Sequence, residues 1–197
     1  MIPSRQEIFY RVFGTWRLAR FDAGGVQYFD ESRQAALRSF FAAALAAPAF
    51  VVTQLLTFST ATGVATDAGA LTLTVVFALY YCLMWVVSPV IFYRICQVID
   101  RESAFFRYLS AINWSGVISI HLQLTAAVRE ASGIVPEALN ILPGLATLAY
   151  LLMYQWFITR HCLDVSPLGA AGFVALDFVV GVLLSNIALG LVFHPAG

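Results

Sequence analysis

Five long stretches of this chain contain no charged side chain, although the whole chain has only 197 residues. The uncharged stretches cover residues 39–66, 68–93, 108–128, 138–159 and 178–197. An α-helix rises about 1.5 Å per residue, so roughly 20 apolar residues cross a hydrocarbon core about 30 Å thick. The pattern therefore predicts an all-α polytopic membrane protein with five transmembrane helices. We place the spans at about residues 39–58, 71–91, 108–127, 139–158 and 172–193 of a single membrane domain, 1–197.

The segment before the first span, residues 1–38, has a different pattern. Its apolar residues recur every three to four positions, with arginine on the other faces, which is typical of an amphipathic helix lying in the headgroup region. We expect Phe9, Phe13 and Trp16 to anchor this helix at the membrane interface, and Trp156 to belong to the inner aromatic belt. The alternative is that the helix packs against the protein's own cytoplasmic loops.

Composition and charge agree with this interpretation. Apolar residues make up 60% of the chain and charged residues 11%, and the mean hydropathy is +0.82. The chain has no lysine, and if its N-terminus is cytoplasmic, ten of its 11 basic residues lie inside. The positive-inside rule then predicts a cytoplasmic N-terminus and a periplasmic C-terminus. Because arginine replaces lysine throughout and alanine is frequent, we expect a multi-pass protein of a bacterial inner membrane.

Polar residues at membrane depth supply the candidate chemistry. The third span carries more of them than a lipid-facing helix tolerates, so we expect it to be the central helix of the bundle. Counted from the inner boundary, Asp177 of the fifth span lies level with Asn113, and Asn186 lies level with His121 and Gln123. The candidate intramembrane polar cluster therefore comprises Asp177, Asn186, Asn113, His121 and Gln123.

Each of these residues also has a structural interpretation. Asp177 could be hydrated near the interface or paired with Arg107, and His121 could be a neutral histidine hydrogen-bonded to a neighbouring helix. The amide side chains commonly join helices within a bundle. We find no catalytic signature, and His161 and Cys162 have no further ligand at a metal-binding spacing, so we expect no enzyme activity, metal or cofactor.

The entry into the first span resembles that of a known family. The stretch Arg38-Ser39-Phe40-Phe41-Ala42-Ala43, continued by Ala47-Pro48, is similar to bacterial members of the Yip-domain family. The five spans, the cytoplasmic N-terminal segment and the short outer tail also look like that family. This resemblance implies a non-enzymatic membrane protein that organises partners or the membrane.

Two functional hypotheses follow. The first is an accessory subunit or scaffold that binds other membrane proteins, or further copies of itself, through its helices. We expect such a protein to contact the lipid bilayer and not to bind nucleic acid. The second is a small transporter or ligand-binding bundle that uses the polar residues of the third and fifth spans. Five spans cannot form two equal inverted repeats, which argues against transport.

Overall fold

The computed structural model describes residues 2–60 and 69–193, and every element in these ranges is helical. A short 3₁₀-helix, Ala23–Tyr28, follows the first α-helix. The α-helices are α1 (Arg5–Ala19), α2 (Arg33–Ser39), α3 (Phe41–Thr60), α4 (Ala70–Val98), α5 (Glu102–Ala131), α6 (Glu137–Leu163) and α7 (Pro167–Phe193). The expected periplasmic position of the C-terminus concerns residues outside these ranges.

Four helical segments of the described chain are long and apolar enough to cross a membrane: 33–58, 70–98, 139–163 and 167–193. They coincide with the first, second, fourth and fifth predicted spans. The third predicted span lies within α5, whose polar residues give this helix the lower hydropathy that sets it apart from the other four. The all-helical prediction is confirmed, and four of the five predicted spans lie in helices that are candidates for crossing a membrane by their length and apolar composition.

Most helices extend beyond the spans predicted from the sequence. The α4 helix continues through Pro89 to Val98, and α5 begins at Glu102 instead of near residue 108. A charge costs free energy in hydrocarbon but does not break an α-helix, so the charged residues at these helix ends, such as Arg94 and Arg107, remain helical. The uncharged stretches therefore mark the apolar part of each helix and not its ends.

The α5 helix occupies the centre of the bundle, because it packs against α1, α2, α3, α4 and α6. Its first half is the most buried part of the molecule, with Tyr108, Ala111 and Trp114 almost inaccessible. Small side chains allow this close approach: Ser110 and Ala111 have no exposed surface. The central position expected for the polar third span is thus the position of α5 in the structure.

One end of the bundle gathers three separate parts of the chain. Arg107 at the start of α5 donates from Nε and Nη2 to the carbonyl oxygen of Cys162 near the end of α6, at 3.0 and 2.7 Å. Its Nη1 lies 2.8 Å from Oε1 of Glu31. The hydroxyl of Tyr154 in α6 donates to the carbonyl oxygen of Thr15 in α1 at 3.0 Å. We call this end, formed by α1, the start of α5 and the end of α6, the α1 end.

The helical hairpins have the turn chemistry that their sequences predict. Gly133 adopts a φ of +64° after α5, where a residue without a Cβ is favoured, and Pro136 is the N-cap of α6. At the start of α7 the Ser166 Oγ accepts a hydrogen bond from the Gly169 backbone N–H at 3.0 Å, and Pro167 is the first helical residue. These signals fix where α6 and α7 begin.

Candidate functional site

A half-open cavity of about 250 Å³ lies between α3, α4, α5, α6 and α7. Aromatic side chains from α4 and α5 form much of its wall, and polar side chains from all five helices face it. The polar residues that line it, tyrosines apart, are Gln54, Ser88, Asn113, Ser119, Gln123, Gln155 and Asp177. A pocket of this kind, apolar and aromatic with a few polar groups, is the usual form of a small-molecule site.

Asp177 is the charged residue of this cavity. Its Oδ2 accepts a hydrogen bond from Nε2 of Gln155 at 2.6 Å. The α6–α7 hairpin brings the two together, since Gln155 lies eight residues before the end of α6 and Asp177 lies ten residues after the start of α7. At 1.5 Å per residue both are roughly 12 to 15 Å from the turn. Gln155 was not among the candidates from the sequence, although the same depth count would have placed it beside Asp177.

Asn113 joins the cavity to the helix packing around it. It is buried, and its Nδ2 donates to the Ser39 Oγ at 2.8 Å. The Ser39 hydroxyl in turn donates to the carbonyl oxygen of Ala36 at 2.6 Å. This chain of hydrogen bonds connects α5 with α2, which is the role expected of an amide that joins helices. Asn113 therefore supports one wall of the cavity.

Tyr108 lines the same cavity from α5. Its side chain is 1% exposed, and its hydroxyl makes no hydrogen bond of normal geometry among the described residues. The side chain of Thr159 in α6 is close enough to interact with it. The neighbouring Tyr81 is different, because its hydroxyl donates to the carbonyl oxygen of Ala43 at 2.6 Å.

The possible pairing of Asp177 with Arg107 is not made. Arg107 binds the carbonyl oxygen of Cys162 and the Glu31 carboxylate instead. The reason is depth: Arg107 lies five residues into α5, at the α1 end, whereas Asp177 lies ten residues along α7. Among the residues that line the cavity, all of which the structure describes, there is no Arg, Lys or His.

The structure brings Asp177, Asn113 and Gln123 to the cavity, but not His121 and Asn186. His121 is exposed on the outside of the bundle, with its Nδ1 2.7 Å from the carbonyl oxygen of Val117. Asn186 is also exposed, and its Nδ2 donates to the carbonyl oxygen of Val182 at 2.8 Å. The depth count gives the level of a residue but not the side of the helix on which it lies.

The expected interface anchors lie in two places. Phe9, Phe13 and Trp16 form one face of α1 and are 75%, 43% and 54% exposed, while Leu18 of the same helix is fully buried. Trp156 is half-buried in α6, and its Nε1 donates to the carbonyl oxygen of Pro167 at 3.0 Å. The α1 helix thus packs on the protein with one face and leaves an aromatic face uncovered.

Comparisons with family models, with curated proteins and with solved structures give no match for this chain. The resemblance to the Yip-domain family therefore stays a prediction from the sequence.

Proposed function

We propose that this protein is a membrane-embedded bundle that binds a small ligand in the cavity beside Asp177, without catalysing a reaction. The observation that carries the proposal is the convergence of Asp177, Gln155 and five further polar side chains of α3, α4 and α5 on one cavity. An ionisable residue at membrane depth is rare unless it serves a function, because burying it costs a few kcal/mol even on lenient scales. The polar groups here surround a space, whereas groups used only for packing would fill it.

A test of this proposal is to block the cavity. Ser119→Phe would place an aromatic ring in the space, and Thr125→Phe is the matched control, since Thr125 lies exposed on the same helix and does not line the cavity. Native mass spectrometry of the protein in lipid nanodiscs should show a small molecule that is retained by the wild type and by Thr125→Phe and lost from Ser119→Phe. Identical sets of bound molecules in all three proteins would contradict the proposal.

We propose that the bundle has five spans: the four apolar helices and α5, which is third in chain order. The 30 residues of α5 measure about 45 Å. It begins at the α1 end, and at its other end the Arg129 Nε donates to Oδ1 of Asn140 at the start of α6, at 3.3 Å. It therefore runs alongside α6, which is one of the four apolar helices, over its whole length. Its neighbours bury the polar residues Ser110, Asn113 and Ser115 of its first half, and such shielding lets a polar helix cross a bilayer.

We further propose that the α1 end faces the cytoplasm of a bacterial inner membrane. All of the 11 arginines except Arg129 belong to the parts of the chain that an N-terminus-inside orientation places in the cytoplasm. Alkaline phosphatase fused after Gly197 should be active, because this enzyme requires the periplasm. Activity of a cytoplasmic reporter at that position would refute the five-span topology.

The exposed aromatic face of α1 would then rest in the headgroup region. A nitroxide attached at Phe13→Cys, in a protein whose three native cysteines are replaced by alanine, should collide with dissolved oxygen more than with an aqueous nickel complex. The control label at Arg20→Cys, an exposed position at the end of the same helix, should show the opposite preference. Equal nickel accessibility at both positions would contradict the proposal that Phe9, Phe13 and Trp16 lie at the membrane interface.

Partner binding, as an accessory or scaffold protein, is the second candidate function. It is favoured by the exposure of His121 and Asn186 on the outside of the bundle, where polar side chains are expected to meet another helix rather than lipid. The partner would be another membrane protein or a second copy of this chain. His121→Leu should then weaken co-purification of that partner in mild detergent, and an unchanged set of co-purified proteins would argue against this function.

A further inference from the structure

The chemistry of the cavity points to one class of ligand. We propose that it binds an organic cation, a substituted ammonium group beside Asp177 with a small apolar body against the aromatic wall. This inference rests on the proposed ligand-binding function and names the ligand class for the same cavity.

The first step of the argument is the charge. Asp177 is the one acidic residue lining the cavity, and the lining residues, all within the described ranges, include no basic side chain. Its hydrogen-bond partner Gln155 is neutral and does not balance a negative charge. A carboxylate in a low-dielectric bundle is strongly stabilised by an opposite charge nearby, and here a ligand would supply it. An anionic ligand would meet repulsion with no compensating cation.

The second step is the aromatic wall. Tyr80, Tyr81, Trp85 and Phe92 line the cavity from α4, and Phe50 of α3 and Tyr108 of α5 complete the wall. The faces of aromatic rings attract cations, and substituted ammonium groups are recognised in proteins by such aromatic surroundings together with a carboxylate. A hydrated metal ion would gain little from these rings, because it requires several oxygen ligands. The wall therefore favours an organic cation over an inorganic one.

The third step is the polar lining and the size of the cavity. Ser119 and Gln123 also line it, and their side chains can hydrogen-bond a hydroxyl group of the ligand. The volume of about 250 Å³ limits the ligand to a small molecule. A short amine or quaternary ammonium compound with a hydroxyl group fits these limits.

Such a group has two possible sources, a free amine and the headgroup of an ethanolamine or choline lipid. The protein is therefore reconstituted in nanodiscs of phosphatidylglycerol, which has no ammonium group, and separately in nanodiscs that contain phosphatidylethanolamine. Choline is the cationic probe, and 3,3-dimethylbutan-1-ol, its uncharged isostere, is the control. The thermal midpoint of unfolding is measured against the concentration of each probe.

In phosphatidylglycerol discs, choline should raise the thermal midpoint of the wild type and the isostere should not. Asp177→Asn keeps the shape of the side chain and removes its charge, so it should weaken apparent choline affinity by about tenfold or more. A midpoint already raised in phosphatidylethanolamine discs, with no further effect of choline, would identify the lipid headgroup as the cation. The same choline response in both disc types would identify a free amine.

The inference is overturned if the isostere stabilises the wild type as well as choline does, or if Asp177→Asn responds to choline like the wild type. It is also overturned if choline has no effect in either disc type and the lipid exchange leaves the midpoint unchanged. With those results, the proposed ligand-binding function would still hold if the Ser119→Phe variant loses a bound neutral molecule that the wild type retains. Loss of both the choline response and any cavity-dependent molecule would remove the function as well.

Discussion

The carboxylates of the α1 end are paired with arginine, whereas the carboxylate of the cavity is not. Each of the four acidic residues that precede Arg38 lies within 3.1 Å of an arginine nitrogen. Asp177 in the cavity has a glutamine as its partner. The chain therefore places counter-charges where a carboxylate holds the structure together, and places none beside the carboxylate of the cavity. The difference is what separates a structural charge from a candidate binding charge.

The pKa values at the α1 end show the effect of these counter-charges. The side-chain hydrogen bond from Arg17 and the backbone N–H of Gly24 lower the pKa of Asp22. Burial alone would raise the pKa of Asp30, but the hydrogen bonds from Arg11 and Ser32 outweigh it, so the pKa of Asp30 is lowered. Both carboxylates are thus more easily ionised in the folded protein than in the unfolded chain.

The largest expected effect comes from removing the arginine that ties the α1 end together. Arg107→Ala deletes the hydrogen bonds to the Cys162 carbonyl and the ion pair with Glu31. We expect a loss of about 2–3 kcal/mol of unfolding free energy, since hydrogen bonds to charged groups are the stronger ones. Arg94→Ala is the control, because the hydrogen bond of Arg94 is to Gln97 on its own helix and exposed. Equal shifts in thermal midpoint for both variants would contradict the structural role of Arg107.

Two buried tyrosines give a sharper version of the comparison. Tyr154 and Tyr108 are each 1% exposed, but of the two only the Tyr154 hydroxyl makes a hydrogen bond of normal geometry, to the carbonyl oxygen of Thr15. Tyr154→Phe should lower the unfolding free energy by about 1 kcal/mol. Tyr108→Phe should leave it unchanged or raise it in the absence of ligand, because it removes an unsatisfied polar group. A destabilisation by Tyr108→Phe as large as that by Tyr154→Phe would show that its hydroxyl has a structural partner.

Acid should loosen the α1 end by a smaller amount. The pKa of Asp30 is lower in the folded protein than in the unfolded chain, so its contribution is complete at neutral pH and is lost as the pH falls through the folded pKa, below its usual value near 4. Because Asp30 is largely exposed, we expect only about 0.5 kcal/mol. Proteolysis of α1 between pH 6 and pH 3 should accelerate more in the wild type than in Asp30→Asn. The same pH dependence in both proteins would exclude Asp30 as its source.

Much of the fold follows from the sequence, because the cost of a charge in hydrocarbon is large and easy to locate. The uncharged stretches predicted the helices, and the polar residues of α5 predicted its central position. The extension of α4 to Val98 was not predicted. Pro89 and Arg94 mark the end of the apolar span, but neither residue ends the helix.

The site was only partly predictable. Depth along a helix can be counted, and it placed Asp177 level with Asn113, and Gln123 level with His121 and Asn186. The direction of a side chain around the helix depends on how the helices are rotated, which one sequence does not reveal, so His121 and Asn186 were grouped with the other three although they lie outside the cavity. Gln155 was not chosen, although its depth matches that of Asp177, because a single polar residue in an apolar stretch is common.

A small stability effect is expected at the residue we consider most important for binding. Asn at position 177 retains an oxygen that can accept the Gln155 hydrogen bond and has nearly the volume of Asp. Since no arginine balances Asp177, its replacement breaks no ion pair, and we expect Asp177→Asn to lower the unfolding free energy by no more than about 0.5 kcal/mol. Gln155→Leu, which leaves the carboxylate without its donor, should destabilise by about 1–3 kcal/mol. Thermal unfolding of both variants in ligand-free phosphatidylglycerol nanodiscs measures this difference. If Asp177→Asn instead destabilises the protein as much as Arg107→Ala does, the carboxylate is a structural charge like those of the α1 end, and the contrast between the two regions does not hold.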